Sequence, residues 1–357
     1  MDELQQIEPF SLTKADKERL LTSVLSKLTA FHYENCREYR GMLNAISFSP
    51  HNITSYYDIP PLPVRLFKEL TLKSIADSDV FKTMTSSGTT GQVPSKIYLD
   101  RVTANLQQKA LVKIVSSFLG AQRMPMIIID CPSVVTDRKM FSARGAGILG
   151  FSIFGTDKIY ALGDDMKLDV AGLKAFLEKH KSKKILLFGF TFMIWQHFCA
   201  ELKKLSYKPD LSNGVLIHGG GWKKLIGQRV AADVFKAELK DICGIKSVHD
   251  YYGMVEQTGT VYIECECCHL HTSVFSDVII RRADDLNVCD FGKAGIIEVV
   301  SALPRSYPGY ALLTEDEGVI LGEDDCPCGR KGKYFRVNGR LANAEIRGCS
   351  DTYAVKF

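Results

Sequence analysis

The chain has 357 residues, 46% hydrophobic and 24% charged, and 45 basic against 41 acidic side chains leave a formal net charge of +4. That length can bury a large core or supply two or three domains, while the near-balanced charge offers no electrostatic footprint for nucleic acid. The acidic, polar start MDELQQIEPFSL is unlike a signal peptide, and the longest nearly apolar run, 185–195, falls far short of the roughly 20 residues of a bilayer span, so a cytoplasmic protein with no membrane span is expected.

Thr13-Lys-Ala-Asp16 has the form of a helix start, and Leu20, Leu21, Val24, Leu25, Leu28 and Phe31 follow at helical spacing. IPPLPVRLF (59–67) is a proline-stiffened connection into the core. Apolar strands at 126–130, 184–188, 215–218 and 247–251 then alternate with helices near 103–119, 171–181, 191–206 and 225–240, the pattern of a mainly parallel, helix-flanked sheet. After about residue 258 short strand-like runs (261–264, 278–281, 295–301, 310–314, 318–321) are joined by turns, which points to a smaller, mostly antiparallel β element. Phe190, Phe192 and Trp195 sit in an apolar segment that could line an apolar pocket or form plain core.

The densest chemical signal is TSSGTTGQVPSK at 85–96. Thr85, Ser86, Ser87, Thr89 and Thr90 offer hydroxyls, Gly88 and Gly91 allow close approach of backbone to an anion, and Lys96 adds a cation. The spacing is neither a Walker loop nor a dinucleotide fingerprint. Three successive glycines, Gly219, Gly220 and Gly221, follow a buried strand in HGGGWKK and leave a turn against which a flat ring can lie. Eleven cysteines are present, and five of them crowd ECECCHLH (264–271) and CPCGR (326–330). With no leader in sight this favours metal binding or thiol chemistry over disulfides, because tetrahedral zinc takes four Cys or His ligands.

The hydroxyl-rich loop resembles the phosphate loop of the adenylate-forming enzymes, which make acyl-AMP from ATP and a carboxylate. That likeness implies that residues 85–91, Thr85 through Gly91, meet the ATP phosphates together with Lys96. DYYGMVEQTGT (250–260) resembles the family's YGxTE motif, which implies that Tyr252 packs on adenine and Glu256 ligates Mg²⁺; Val255 stands where the family has Thr. By the same likeness Gly219–Gly221 run along the adenine, and Asp316 of Thr314-Glu-Asp316 binds the ribose hydroxyls, with Glu315 in place of the usual Gly. Gly339-Arg340 resembles the start of the hinge to a C-terminal lid. A Cys/His set followed by CxCGR occurs in phenylacetate-CoA ligase-like members and implies Zn²⁺ on Cys265, His271, Cys326 and Cys328, with Cys267, Cys268 or His269 as substitutes.

Over nearly the whole chain the sequence resembles the acyl-protein synthetases of bacterial, luminescence-type fatty-acid reductase complexes. The likeness is carried by VRLFKEL, TSSGTTGQVPSKIYLD, DCPSVVTDRKMFSARGAGILGFS, LLFGFTFMIWQHF, HGGGWKK, YYGMVEQTG and RGCSDTYAVKF. It implies ATP-dependent activation of a long-chain fatty acid, transfer of the acyl group to Cys349, and delivery to an acyl reductase, with an acyl-transferase or thioesterase as a further partner. Without it, Cys131 at the end of a core strand ranks equally with Cys349. The lid, whose lysine serves the α-phosphate in relatives, is expected to be absent, with Arg340 or a partner group in its place. The expected architecture is α/β, like the large domain of adenylate-forming enzymes: an ATP- and acyl-binding core at 1–258, a β-rich element with a zinc site at 259–341, and a tail at 342–357 that carries the acceptor cysteine. The rival readings are an acyl-CoA or aryl-CoA ligase and a non-catalytic scaffold subunit.

Overall fold

A computed structural model of the protein describes residues 2–86, 94–136, 143–222, 227 and 229–341. In chain order the strands are β1 (Leu62–Pro63), β2 (Lys82–Thr85), β3 (Lys96–Leu99), β4 (Met124–Ile129), β5 (Gly155–Tyr160), β6 (Ile185–Phe190) and β7 (Gly214–Gly219). They continue with β8 (Ser247–Tyr252), β9 (Tyr262–Ile263), β10 (Leu270–His271), β11 (Ser276–Arg281), β12 (Ala294–Ser301), β13 (Ala311–Glu323) and β14 (Lys333–Arg340). The chain forms two compact units: described residues 2–86, 94–118 and 253–341 make the first, and those between 119 and 252 the second. No described helix is long and apolar enough to cross a membrane.

The second unit is built on a parallel sheet in the order β5-β4-β6-β7-β8. β4, β6 and β7 are buried at every position, as parallel strands covered on both faces must be, which is why their sequences read as unbroken apolar runs. Ile127, Ile129, Leu187 and Leu216 from the strands meet Leu173, Phe198, Phe235 and Leu239 from the helices in one core, and Trp195 packs against it. The helix expected at 225–240 spans Ala232–Cys243 instead: Ala231 is still extended, and Gly244 closes the helix in the left-handed conformation at φ 77°. The helix after β6 widens into a π turn over Ile194–Cys199. At the carboxyl end of β7, Gly219 is required by a neighbour. A Cβ there would stand 2.4 Å from the Tyr251 ring, whereas no atom of the described residues lies within 4 Å of one placed on Gly221. Tyr251 in turn packs on Phe151 and Phe188, with ring centres 5.1 and 6.1 Å away.

The first unit holds an antiparallel sheet in the order β10-β14-β13-β12-β11, with β1 added parallel to β13. The two strands expected at 310–314 and 318–321 are a single strand, β13, because its partners continue past the acidic residues between them: Asp316 pairs with Arg340, Glu317 with Gly339 and Gly318 with Val337. β14 has no counterpart in the sequence-based expectation; its buried start, Lys333–Phe335, gives way to half-exposed and exposed residues without the regular alternation that flags a strand.

Helix Lys14–Asn35 starts at Thr13, whose Oγ1 accepts from the Asp16 N–H. Its buried stripe is Lys17, Leu21, Leu25, Leu28, Thr29 and His32, so the inward face carries two ionisable residues and leaves Phe31 exposed. Lys17 Nζ donates to Thr272 Oγ1 at 2.7 Å and lies 3.4 Å from Asp277. Lys333 Nζ lies 2.7 Å from the other oxygen of Asp277 and also donates to Tyr57 Oη at 2.8 Å and Val278 O at 3.1 Å, and Tyr56 Oη donates to the same carboxylate. Burial alone would raise the Asp277 carboxyl, but the two ammonium groups outweigh it and hold it well below the usual carboxylate range. His32 sits in a second buried network, 2.7 Å from Ser74 Oγ and stacked on Tyr310, and burial lowers its pKa to about 3. These contacts, with the β1·β13 pairing, tie the N-terminal helices to the β-rich sheet. The compact units therefore cut the chain differently from the expected segments 1–258 and 259–341.

Two outcomes are expected. Asp277→Asn leaves two buried lysines without a counter-charge and lowers unfolding free energy by about 3–5 kcal/mol, read by urea denaturation at pH 7. Because the native carboxyl titrates below its unfolded value of about 3.9, its contribution is complete above that pH and is lost as pH falls below it; the variant lacks this acid dependence. In the second unit, Gly219→Ala displaces the Tyr251 ring and costs about 1–3 kcal/mol, whereas Gly221→Ala stays within about 0.5 kcal/mol, both read by thermal denaturation.

Candidate functional site

β2 and β3 form a two-stranded hairpin with Thr85 paired to Lys96. Its inner face carries Met84, Ile97 and Leu99, which are buried, while Lys96, on the opposite face, is exposed. Beyond the last pair, the Ser86 N–H donates to Ser95 O at 3.1 Å and Ser86 Oγ accepts from the Ser95 N–H at 2.8 Å. Thr85, Ser86 and Lys96 thus stand at the base of the hairpin, at the two ends of the hydroxyl-rich run. Ser87, Gly88, Thr89, Thr90 and Gly91 lie outside the described residues.

Glu256 lies on the single turn Val255–Gln257 in the first unit and is 2% exposed. Its backbone carbonyl accepts from Tyr307 Oη at 2.8 Å, and the neighbouring Gln257 amide donates to Val299 O and Gly309 O at 3.0 and 2.9 Å. The turn is therefore fastened at the Glu256 carbonyl and at the next side chain, to Val299 of β12 and to Tyr307 and Gly309 in the connection to β13. Asp316 sits within β13 rather than on a turn, and Arg340 faces it across the β13·β14 ladder. The guanidinium reaches Glu315 at 2.5 Å and Asp316 at 3.7 Å. Glu315, where relatives have Gly, gives Arg340 a carboxylate partner that a glycine would not.

In the second unit Gly219, Gly220 and Gly221 follow β7, and Gly220 takes a left-handed φ of 75° with Phe190 beneath it. The ring lying against Gly219 is the protein's own Tyr251, and among the described residues nothing crowds Gly221. Tyr252 ends β8, half-buried. Cys131 follows β4, fully buried, 3.2 Å from Ser133 Oγ. Beside it Asp130 forms a buried ion pair with Arg144 at 2.9 Å. Cys349 lies outside the described residues.

The metal-type residues converge. The ligand atoms of Cys265, His271, Cys326 and Cys328 all lie within 4.8 Å of one another. Cys265 and Cys326 Sγ are 3.9 Å apart, and Cys328 Sγ is 3.4 Å from His271 Nε2. With metal–sulfur bonds near 2.3 Å and metal–nitrogen bonds near 2.0 Å, a tetrahedron places two sulfurs about 3.8 Å apart and a sulfur and nitrogen about 3.5 Å apart, so the four donors fit a Zn²⁺ ion. Burial pushes the Cys265 thiol up to about 11 and the Cys326 thiol up as well, a cost that a dication among the sulfurs would offset. Burial and the Arg330 charge lower His271 to about 4, leaving the neutral imidazole that binds metals. Of the alternatives, His269 Nδ1 approaches Cys326 Sγ at 3.3 Å while its ring stacks on Tyr334, Cys267 donates its N–H to Cys265 Sγ at 3.3 Å, and Cys268 is exposed in the left-handed conformation at φ 62°.

The described candidates are thus shared out: Thr85, Ser86, Lys96, Glu256, Asp316, Arg340 and the four metal-type ligands belong to the first unit, and Gly219, Gly220, Gly221 and Tyr252 to the second. Sequence reasoning missed Tyr307, Gln107 and Arg144. The first two carry no motif, and their roles are set by partners 51 and 200 residues away in the chain. The only signal for Arg144 is a charged residue in the glycine- and apolar-rich run ARGAGILGF.

A family model described as acyl-protein synthetase, LuxE, matches residues 1–357. A long-chain-fatty-acid–luciferin-component ligase of Vibrio harveyi is 24% identical over 361 residues, spanning 96% of this chain and 89% of the relative. The protein of the same name from Aliivibrio fischeri is 24% identical over 331 residues, spanning 90% and 84%. Among solved structures, 2-hydroxyisobutyryl-CoA ligase in an open conformation with 2-HIB-AMP and CoA superimposes with a TM-score of 0.72 at 16% identity, over 94% of this chain and 72% of that one. A long-chain-fatty-acid-CoA ligase from Archaeoglobus fulgidus gives 0.51 at 15% identity, over 74% and 52%. At such identities the likeness is one of fold, and the fold is the α/β large-domain fold of adenylate-forming ligases, as expected. With the family model spanning every residue, the chain belongs to the acyl-protein synthetase (LuxE) family of ligases.

Proposed function

We propose that the protein activates a long-chain fatty acid with ATP as acyl-AMP, carries the acyl group as a thioester on Cys349, and passes it to a partner acyl reductase. The observation that carries this reading is the family match over residues 1–357, and the naming of the Vibrio and Aliivibrio relatives as fatty-acid ligases supports the substrate class.

In the first step a carboxylate oxygen of the fatty acid attacks the α-phosphorus of ATP, forming acyl-AMP and releasing pyrophosphate. The 85–91 run and Lys96 hold the phosphates, Asp316 accepts from the ribose hydroxyls, and Tyr252 with Gly220 and Gly221 lies along the adenine. A Mg²⁺ ion on Glu256 would neutralise charge developing on the phosphate oxygens. In the second step the Cys349 thiolate attacks the acyl carbonyl and AMP leaves, so the energy of the mixed anhydride passes into a thioester. Arg340 is the cation offered for the task of the lid lysine in relatives; its pairing with Glu315 and Asp316 keeps it beside the carboxylate assigned to the ribose. Zn²⁺ on Cys265, His271, Cys326 and Cys328 would pin the two segments that carry them, a structural role with no part in the chemistry.

Incubation with ATP, Mg²⁺ and a fatty-acid panel, followed by intact-mass measurement, is expected to show one acyl group added, removable by neutral hydroxylamine. Cys349→Ser abolishes that adduct and retains ATP–pyrophosphate exchange. Turnover that requires coenzyme A and is indifferent to Cys349→Ser would establish the CoA-ligase reading instead, and absence of exchange with every acid, partner included, would establish a scaffold. Metal analysis is expected to find one zinc per chain, lost in Cys326→Ser together with thermal stability.

A further inference from the structure

The segment 303–309 (LPRSYPG) carries no residue of the motifs above, yet its polar groups reach both candidate phosphate-binding elements of the first unit. Ser306 Oγ donates to Tyr98 O at 2.8 Å. Tyr98 is two residues beyond Lys96 on β3, a short strand whose partner among the described residues is β2. The next residue, Tyr307, donates its hydroxyl to the carbonyl of Glu256 at 2.8 Å and accepts from Gln107 Nε2 at 3.2 Å. The ring is fully buried, with Phe67 edge-on at 6.0 Å. A buried phenol is costly unless its hydroxyl is satisfied, and this one is satisfied as donor and acceptor at once. Gly309 is part of the same fitting: a Cβ there would stand 2.1 Å from the Tyr307 ring and 3.0 Å from Glu256 O. Its own carbonyl accepts from the Gln257 amide.

The segment is itself held at several points. The Ser306 N–H donates to Thr103 Oγ1 at 3.1 Å, Ser306 O accepts from the Ser74 N–H at 2.8 Å, and Pro304 O lies 3.3 Å from His32 Nε2. Consecutive residues of one anchored piece of backbone therefore fix the strand that presents Lys96 and the turn that presents Glu256.

We propose that Ser306 and Tyr307 are positioning residues for adenylation, Ser306 setting the Lys96 strand and Tyr307, backed by Gln107, setting the Glu256 carboxylate. The inference rests on the roles given to Lys96 and Glu256 under Proposed function. Neither positioning residue touches substrate; each acts through a backbone carbonyl, so the expected signature is a change in how the metal and nucleotide are used.

The test is ATP–pyrophosphate exchange by the full chain with a fatty acid, titrated in Mg²⁺ and in ATP, with melting temperatures measured alongside. Tyr307→Phe keeps the ring and removes the hydroxyl; it is expected to need roughly tenfold more Mg²⁺ for half-maximal exchange, with the fatty-acid KM unchanged and activity recovering at high Mg²⁺. Gln107→Met leaves the tyrosine in place and is expected to shift the Mg²⁺ requirement in the same direction by less. Ser306→Ala is expected to raise the ATP KM severalfold, in the direction of Lys96→Ala, at an unchanged Mg²⁺ requirement. Glu256→Gln separates the two levels of the argument. Near-wild-type exchange by Glu256→Gln would remove the reading of Glu256 as the magnesium ligand, and the Tyr307 inference with it. Impaired Glu256→Gln beside wild-type Mg²⁺ dependence in both Tyr307→Phe and Gln107→Met would overturn the inference alone, as would a lowered melting temperature with no change in either titration.

Discussion

One buried carboxylate organises the first unit. Asp277, on β11, is 1% exposed and meets Lys17 from the N-terminal helix and Lys333 from β14. Taking these ions out of water costs several kcal/mol each, and such a group survives only where every charge has its partner and its remaining hydrogen bonds. Here Thr272, Tyr56, Tyr57 and the Val278 carbonyl supply those bonds. Geometry so exacting leaves one way for helix Lys14–Asn35 to sit on the sheet. The nearby His32–Ser74–Tyr310 network makes the same demand with neutral groups. The discontinuity of this unit, assembled from the two ends of the chain, follows from those contacts.

That frame also holds most of the described candidate site residues. The hairpin at 82–99, the Glu256 turn and the Asp316–Arg340 pair all belong to the unit that Asp277 organises. The parallel sheet of the second unit makes a different contribution: a rigid apolar slab whose strand ends carry the glycine turn, Tyr252, Cys131 and the Asp130–Arg144 ion pair. The polar groups gather at the carboxyl ends of its strands, as in other open α/β sheets.

Likeness to known proteins and local geometry speak at different levels here. The family match covers the whole chain, whereas the structural likeness at 16% identity speaks for the fold. Between those levels lie local details of this chain. Glu315 salt-links Arg340. Gly219 makes room for the protein's own Tyr251 ring, so one glycine of the triplet has a packing reason, and among the described residues nothing crowds Gly221. The convergence of Cys265, His271, Cys326 and Cys328 brings together segments about sixty residues apart in the chain in the donor set that tetrahedral zinc takes.

The sequence by itself determined the elements whose signal is local. β4, β6 and β7 are legible because both faces are buried, so every residue is apolar. The hydroxyl-rich run, the glycine triplet and the two cysteine clusters are legible as motifs because each is made of residues close together in the chain. Tertiary structure decided what depends on distant partners. Helix Lys14–Asn35 turns Lys17 and His32 inward, against hydropathy, because Asp277, Thr272 and Ser74 wait there. β13 runs unbroken through Thr314-Glu-Asp316 because β14 pairs alongside it. Tyr307 matters through a hydroxyl directed at a backbone carbonyl 51 positions earlier, and a backbone carbonyl leaves no trace in the identity of its residue.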